Sequence, residues 1–181
     1  MEECKPTATP MNQKEKFCKE DEAKRVDERL YKSLIRCLMY LIATRPDIMY
    51  AMSLLSRYMH CASEIHFQAA KRILRYVKGT IDYGIRFSQV KSFNLLGYSD
   101  SDWAGCVDDK RSTSVFHGRT KHFKIKFFFL REVQKDGEVQ LVHCRIEYHN
   151  ADILTKALPK NIFEFFRKRL GICSFSVKEE C

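Results

Sequence analysis

Residues 30–79, LYKSLIRCLMYLIATRPDIMYAMSLLSRYMHCASEIHFQAAKRILRYVKG, carry the strongest folding signal in the chain. Apolar side chains recur there at intervals of three and four residues, which is the spacing of one helix face, in three successive segments. Pro46 fits the first turn of the second segment with Thr44 as its N-cap, whereas Ser63 can cap the third segment, which ends at Gly79. The stretch therefore predicts a unit of three packed helices.

The third predicted helix has a cationic side. Lys71, Arg75 and Lys78 are spaced four and three residues apart, and Arg72 stands beside them. On a helix, this spacing makes one continuous ridge of positive charge. Such a ridge is either a solvated face that keeps the helix soluble or a surface that contacts phosphate groups. If the second interpretation holds, these four side chains bind nucleic acid.

The segments on either side of the helices have different patterns. Residues 1–29 combine prolines and mixed charges without apolar periodicity, which predicts an extended or disordered arm that adds little to a core. Beyond Gly79, apolar residues alternate within 83–87 and again within 93–97, which predicts two strands joined by a polar turn. We therefore predict a domain boundary near residues 79–92.

The carboxyl-terminal part has weaker signals. Residues 123–134 satisfy both strand and helix spacing, so that periodicity leaves their structure open. Asn150 is a good N-cap for a helix that runs to Leu158. A last amphipathic helix is predicted over residues 161–171, with residues 172–181 as a tail.

Charge and cysteine content narrow the possible functions. The chain has 32 basic and 23 acidic side chains, a net charge of +9, which favours nucleic acid as the partner class. The eight cysteines are scattered without a CxxC pair, which favours a reducing compartment. No apolar run approaches the roughly 20 residues of a membrane span, so we expect no membrane partner and an intracellular protein, cytoplasmic or nuclear.

The most suggestive acidic segment is Asp100-Ser-Asp102-Trp103 at the end of a predicted strand. Two carboxylates there could hold a hard divalent cation, because Mg²⁺ prefers oxygen ligands. The alternative is an acidic turn that caps the next element of structure. The residues alone leave both interpretations open.

Longer strings resemble a known family. Residues 30–88 resemble the end of a copia-type retrotransposon reverse transcriptase. GYSDSDWAGCVDDKRSTS (97–114) resembles the opening of the ribonuclease H domain that follows it in the Pol polyprotein, whereas 115–144 and NADILTKALP (150–159) resemble its closing segment. The resemblance covers nearly the whole chain after residue 3.

The resemblance implies a ribonuclease H fold, a mixed sheet flanked by helices, that cuts the RNA strand of an RNA–DNA hybrid. Four carboxylates in that family hold two Mg²⁺ or Mn²⁺ ions. By motif, Asp100 matches the first carboxylate and Asp152 the last, and Asp102 could substitute for a lost ligand. The AEAEY-like and DNQ-like strings that carry the other two are absent, because Ser114 runs directly into Val115 where the family has further strands and a helix.

We therefore predict an α+β chain with an internal deletion at 114/115: reverse transcriptase thumb- or connection-like helices and a strand over 30–87, and an incomplete ribonuclease H-like mixed sheet with flanking helices over 93–171. Two aspartates cannot balance two divalent cations, and the polymerase YxDD motif is absent. The chain is then a nucleic-acid-binding remnant without catalysis. Residual ribonuclease activity and an unselected fragment remain alternatives, as does pairing with an intact Pol polyprotein in trans.

A zinc site is a further hypothesis, because several potential ligands cluster in sequence. No CxxC and no second regular pair completes a tetrahedral set. The candidate ligands are His117, His122, His143, Cys144 and His149.

Overall fold

The computed structural model of the chain describes residues 4–87, Gln89, Gly97, 135–137, Val142 and 144–175. These residues form helices and a two-stranded antiparallel sheet, which confirms the predicted α+β class. Within them, the predicted ribonuclease H-like mixed sheet is not observed. None of the helices in the described ranges is both long and apolar enough to cross a lipid bilayer.

Three helices form in the segment where periodicity predicted them. Helix α1 is Glu28–Leu41, a 3-10 helix at Pro46–Ile48 leads into α2 (Met49–Ser56), and α3 is Glu64–Lys78. Asp27 caps α1, since its Oδ1 accepts hydrogen bonds from the backbone N–H groups of Arg29 and Leu30. The predicted N-cap Thr44 is wrong, because its hydroxyl donates back to the carbonyl of Leu41 at 3.2 Å. Pro46 does occupy the first turn.

Five elements follow the three helices in the described part of the chain. Strand β1 is Tyr83–Ile85, a 3-10 helix is Ile146–Tyr148, α4 is Asp152–Thr155, α5 is Lys160–Arg169 and β2 is Ile172–Ser174. The predicted N-cap Asn150 is wrong, because α4 begins after Ala151, and it ends three residues before the predicted Leu158. Helix α5 agrees with the predicted last helix to within two residues at each end.

The sheet joins two distant parts of the chain. Tyr83 pairs with Ser174 and Ile85 with Ile172, so that β1 and β2 run antiparallel. The residues predicted to be the start of a tail therefore form a strand. Gly171 makes the turn from α5 into β2 with φ +74°, a conformation that glycine adopts without strain.

The helices on both sides of the predicted boundary share one core. Each of the five α-helices contributes buried apolar side chains, which removes a large apolar area from water. The members from α1 to α5 include Tyr31, Ile35, Leu38, Ala51, Met52, Leu55, Ala69, Ala70, Ile73, Tyr76, Ile153, Phe163 and Phe166. The carboxyl-terminal helices therefore pack directly on the amino-terminal unit.

The described residues of the amino-terminal arm form no helix or named strand before Glu28, but they contribute more than expected to the core. Met11 and Phe17 are 3% and 5% exposed and belong to the core cluster. The Tyr58 hydroxyl donates to the carbonyl of Phe17 at 2.9 Å, and Arg25 forms an isolated antiparallel bridge with Ser63. The expectation that residues 1–29 add little to the core is therefore wrong.

Several sequence predictions fall outside the described residues. They concern the second strand at 93–97, of which Gly97 alone is described, the ambiguous segment 123–134, and the position of the deletion at 114/115. These remain predictions.

Candidate nucleic-acid interface

The cationic side chains predicted to bind nucleic acid all lie on α3. Ser63 caps this helix as predicted, and its backbone N–H donates to Nδ1 of His66 at 3.1 Å. One face of α3 is fully buried in the core, including Ile73 and Tyr76. The opposite side bears Lys71, Arg72, Arg75 and Lys78, each of which is half-buried.

Lys71 and Arg75 occupy the middle of the ridge. The Lys71 ammonium lies 3.8 Å from a carboxylate oxygen of Glu64 and 4.2 Å from the centre of the Phe67 ring. Its side chain remains 44% exposed. Nε of Arg75 is buried, and no acceptor among the described residues reaches it. Buried N–H groups normally have a partner, so this guanidinium still has hydrogen-bonding capacity to satisfy.

Arg72 and Lys78 are held by the first described residues of the arm, 4–9, which we call the strap. Nε and Nη2 of Arg72 donate to the carbonyl and hydroxyl oxygens of Thr9 at 3.2 and 3.1 Å. The ammonium of Lys78 donates to the carbonyl of Cys4 at 3.0 Å. The structure therefore brings the four predicted cations onto one helix but engages two of them with the chain's own backbone.

A buried ionic network fixes the other face of α3. Nε and Nη2 of Arg45 donate to the two carboxylate oxygens of Asp47 at 3.0 and 2.8 Å, and the Tyr76 hydroxyl donates to the same carboxylate. Arg45 also donates to the carbonyl and hydroxyl of Thr80, both at 2.8 Å. Nη1 of Arg167 donates to the Tyr76 hydroxyl at 3.2 Å, which ties α5 to α3.

Burial and the contacts within the network shift the pKa values of Tyr76 and Arg45. Burial raises the pKa of Tyr76, and the neighbouring Asp47 charge raises it further. Burial disfavours the charge on Arg45, but the hydrogen bond and charge of Asp47 outweigh this and raise the pKa of the guanidinium. Arg45 and Asp47 are 3% and 1% exposed, so both charges are paired inside the protein. Sequence analysis missed this network, although two opposite charges flanking Pro46 within an apolar stretch were a usable signal.

Asp152, the predicted last metal ligand, is a buried residue of α4. Its Oδ1 lies 3.0 Å from Nδ1 of His149 and accepts a hydrogen bond from the Lys156 ammonium at 3.3 Å. The carboxylate also lines a cavity of about 360 Å³, together with Glu147 and apolar side chains that include Phe165.

Of the metal ligands that the resemblance implies, Asp152 is the one that lies among the described residues. Asp152 is already bound by His149 and by the cationic Lys156. The other predicted ligands, Asp100 and Asp102, lie outside the described residues. Within the part of the chain that is described, no group of three or more His, Cys, Asp or Glu side chains is placed to hold a metal ion.

Some of the hypothetical zinc ligands also lie outside the described residues, and others lie within them. His117, His122 and His143 lie outside the described residues. Of the remaining two, His149 contacts Asp152, and the thiol of Cys144 donates to the carbonyl of Arg145 at 3.4 Å. The zinc hypothesis therefore stays a prediction without a described cluster to support it.

Comparison with known proteins extends the resemblance. No protein-family profile and no solved structure matches the chain. The chain is 28% identical to the retrovirus-related Pol polyprotein from transposon RE2 of Arabidopsis thaliana, over 93% of this chain and 17% of the relative. It is 24% identical to the retrovirus-related Pol polyprotein from transposon TNT 1-94 of Nicotiana tabacum, over 96% of this chain and 19% of the relative. An uncharacterized mitochondrial protein of Arabidopsis thaliana is 40% identical over 43% of this chain and 70% of its own length.

The two polyprotein alignments also bear on the internal deletion. They run over 242 and 254 positions, whereas the chain has 181 residues, so at least 61 and 73 positions have no counterpart here. The matched part is less than one fifth of each polyprotein. Nearly the whole length of the chain is therefore similar to part of the copia-type retrotransposon Pol polyproteins.

Proposed function

We propose that this chain, as a fragment of a Pol polyprotein, binds RNA–DNA hybrid, or another nucleic-acid duplex, through the phosphate backbone and without catalysis. The observation that carries the proposal is the row of four cationic side chains on one side of α3, Lys71, Arg72, Arg75 and Lys78. The opposite face of the same helix is locked into the core by Tyr76 and the ionic network. A rigid helix with cations along one side is suited to contact successive phosphates.

The predicted binding is electrostatic and indifferent to base sequence. Each cation that neutralises a phosphate releases condensed counterions, so the affinity falls as salt rises. If all four side chains contact phosphates, the plot of log affinity against log salt has a slope of about −3 to −4. The affinity then falls by roughly a hundredfold between about 50 and 200 mM salt.

The test is fluorescence anisotropy of a labelled hybrid duplex titrated with the full chain at several salt concentrations. The double substitution Lys71→Gln/Arg75→Gln is expected to reduce the magnitude of the slope by about 2, because two phosphate contacts are lost. Lys32→Gln on α1 is the matched control, since it removes one charge from a different helix. If the affinity does not depend on salt, the α3 ridge is not the binding surface. The same conclusion follows if Lys32→Gln reduces the slope as much as Lys71→Gln/Arg75→Gln does.

The absence of catalysis is the second part of the proposal, and the chemistry of the acidic residues supports it. Two Mg²⁺ ions bring four positive charges, whereas Asp152 supplies one negative charge that Lys156 already offsets. We expect purified protein to leave the RNA strand of the hybrid intact in Mg²⁺ or Mn²⁺. Cleavage that Asp100→Asn abolishes would contradict this expectation and would favour residual ribonuclease activity.

A further inference from the structure

The strap occupies the surface that the proposed function assigns to phosphates. Three hydrogen bonds join the strap to the ridge. Arg72 donates two of them to Thr9, and Lys78 donates one to Cys4. In addition, the Thr7 hydroxyl donates to the backbone carbonyl of Arg72 at 3.3 Å. The strap thus follows α3 for about two turns and satisfies donors that a polyanion would otherwise use.

The two ends of the strap are attached differently. Thr9 is buried, and the next two residues, Pro10 and Met11, are buried as well. In contrast, Cys4, Lys5 and Pro6 are exposed. Apart from the polar contacts to α3, this outer part buries little surface, so it can leave the helix without disturbing the core.

We propose that the strap is an autoinhibitory element that competes with nucleic acid for Arg72 and Lys78. The inference rests on the proposed function of the α3 ridge. The strap offers uncharged carbonyl and hydroxyl oxygens, whereas a phosphate offers charged oxygens that bind guanidinium more strongly. Nucleic acid therefore displaces the strap, but part of the binding free energy is used to do so.

Gly79 provides a way to release the strap without changing any charge. A Cβ atom added at Gly79 would lie 2.7 Å from Cβ of Pro6, which is too close for two carbon atoms. The backbone of Gly79 is helical with φ −75°, so alanine is sterically allowed there and the exposed strap is the part that must move. Gly79→Ala should thus release the outer residues Cys4, Lys5 and Pro6 from Lys78, while α3 and the buried Thr9 stay in place.

The experiment compares hybrid binding by the full chain and by Gly79→Ala at low salt, with circular dichroism to verify equal helix content. We expect the variant to bind on the order of tenfold more tightly, because the charge-assisted contact between Lys78 and Cys4 no longer has to be broken. In a Lys78→Gln background, Gly79→Ala should give no gain. Gln68→Ala, an exposed position on the same helix without a strap contact, is the neutral control.

The outcomes separate this inference from the function on which it rests. If the unmodified chain binds the hybrid and Gly79→Ala binds no more tightly, the strap is not inhibitory, although the α3 ridge remains the binding surface. A gain from Gly79→Ala that persists in the Lys78→Gln background also overturns the inference, because the released Lys78 ammonium would not be its cause. If neither protein binds at low salt, the proposed function fails and the competition fails with it.

Discussion

The two faces of α3 use charged and polar groups in opposite ways. On the buried face, Tyr76 joins Asp47 and Arg167, which come from other elements and are almost completely enclosed. On the exposed side, Arg72 and Lys78 pair with backbone oxygens of a strap that is itself largely exposed. A buried pair cannot exchange partners without unfolding, whereas a surface contact can be replaced by a ligand. The first face therefore serves stability, and the second is available for function.

The largest expected effect is at Asp47. Asp47→Asn removes the only charge that the buried Arg45 guanidinium contacts within the described residues, and this should lower the free energy of unfolding by about 3–5 kcal/mol. Urea denaturation measures the change. The matched control is Asp82→Asn at an exposed carboxylate that accepts a hydrogen bond from Ser174. If Asp47→Asn lowers the free energy of unfolding by no more than Asp82→Asn does, the contrast between the two faces of α3 is contradicted.

A smaller loss is expected for the hydroxyl of Tyr76. Tyr76→Phe keeps the aromatic ring in the core but leaves Asp47 and Nη1 of Arg167 without one partner each, which should cost about 1–3 kcal/mol. Tyr40→Phe is the control, because Tyr40 is 86% exposed and its hydroxyl can bond to water. Equal unfolding free energies for the two variants would show that the hydroxyl of Tyr76 adds nothing to the network.

The helices were predictable because their signals are local. Apolar spacing and cap chemistry depend on residues within about one or two turns of each other, and the prediction from Ser63 to Gly79 agrees with α3 at Glu64–Lys78. The buried network was not predictable in this way. Asp47 and Tyr76 are 29 residues apart, and only the packing of three elements brings them together with Arg167.

The amino-terminal arm and the candidate site show two further limits on what the sequence predicts. Met11 and Phe17 are isolated apolar residues in a segment without a helix or a named strand, so no period marks them as core members. Asp152 was predicted as a metal ligand from a motif. A motif identifies the residue but does not show which side chains surround it. Its partners His149 and Lys156 are three and four residues away, so helical spacing did contain the information that this carboxylate is already engaged.

The alkaline stability of the protein should depend on buried tyrosines. Burial raises the pKa of Tyr31, and the nearby Cys61 and Tyr58 raise it further. Above pH of about 10, the unfolded chain loses the phenolic proton while the folded chain keeps it, so stability falls with pH by up to about 1.4 kcal/mol per pH unit for each such tyrosine. The contribution is complete below pH of about 10 and is lost as the pH rises beyond it.

Tyr31→Phe removes one of these titrating hydroxyl groups. We expect unfolding free energies measured above pH 10 to decline less steeply in this variant, with a difference in slope of about 1.4 kcal/mol per pH unit. Tyr40→Phe should leave the slope unchanged, because this side chain is exposed in the folded protein as well. Parallel declines in the unmodified protein and Tyr31→Phe would show that the Tyr31 hydroxyl ionises in the folded state.

The smallest effect on stability is expected on the exposed side of α3, where binding should nevertheless change. Lys71→Gln breaks a partly exposed ion pair with Glu64, and such pairs contribute little, so the unfolding free energy should change by less than about 0.5 kcal/mol. The same substitution removes one phosphate contact and should lower the magnitude of the salt slope of hybrid binding by about 0.9. Lys32→Gln breaks an equivalent ion pair with Glu28 on α1, and it should leave the slope unchanged. A large loss of stability in Lys71→Gln would mean that this side chain serves the fold, and the functional distinction between the two faces of α3 would then fail at Lys71.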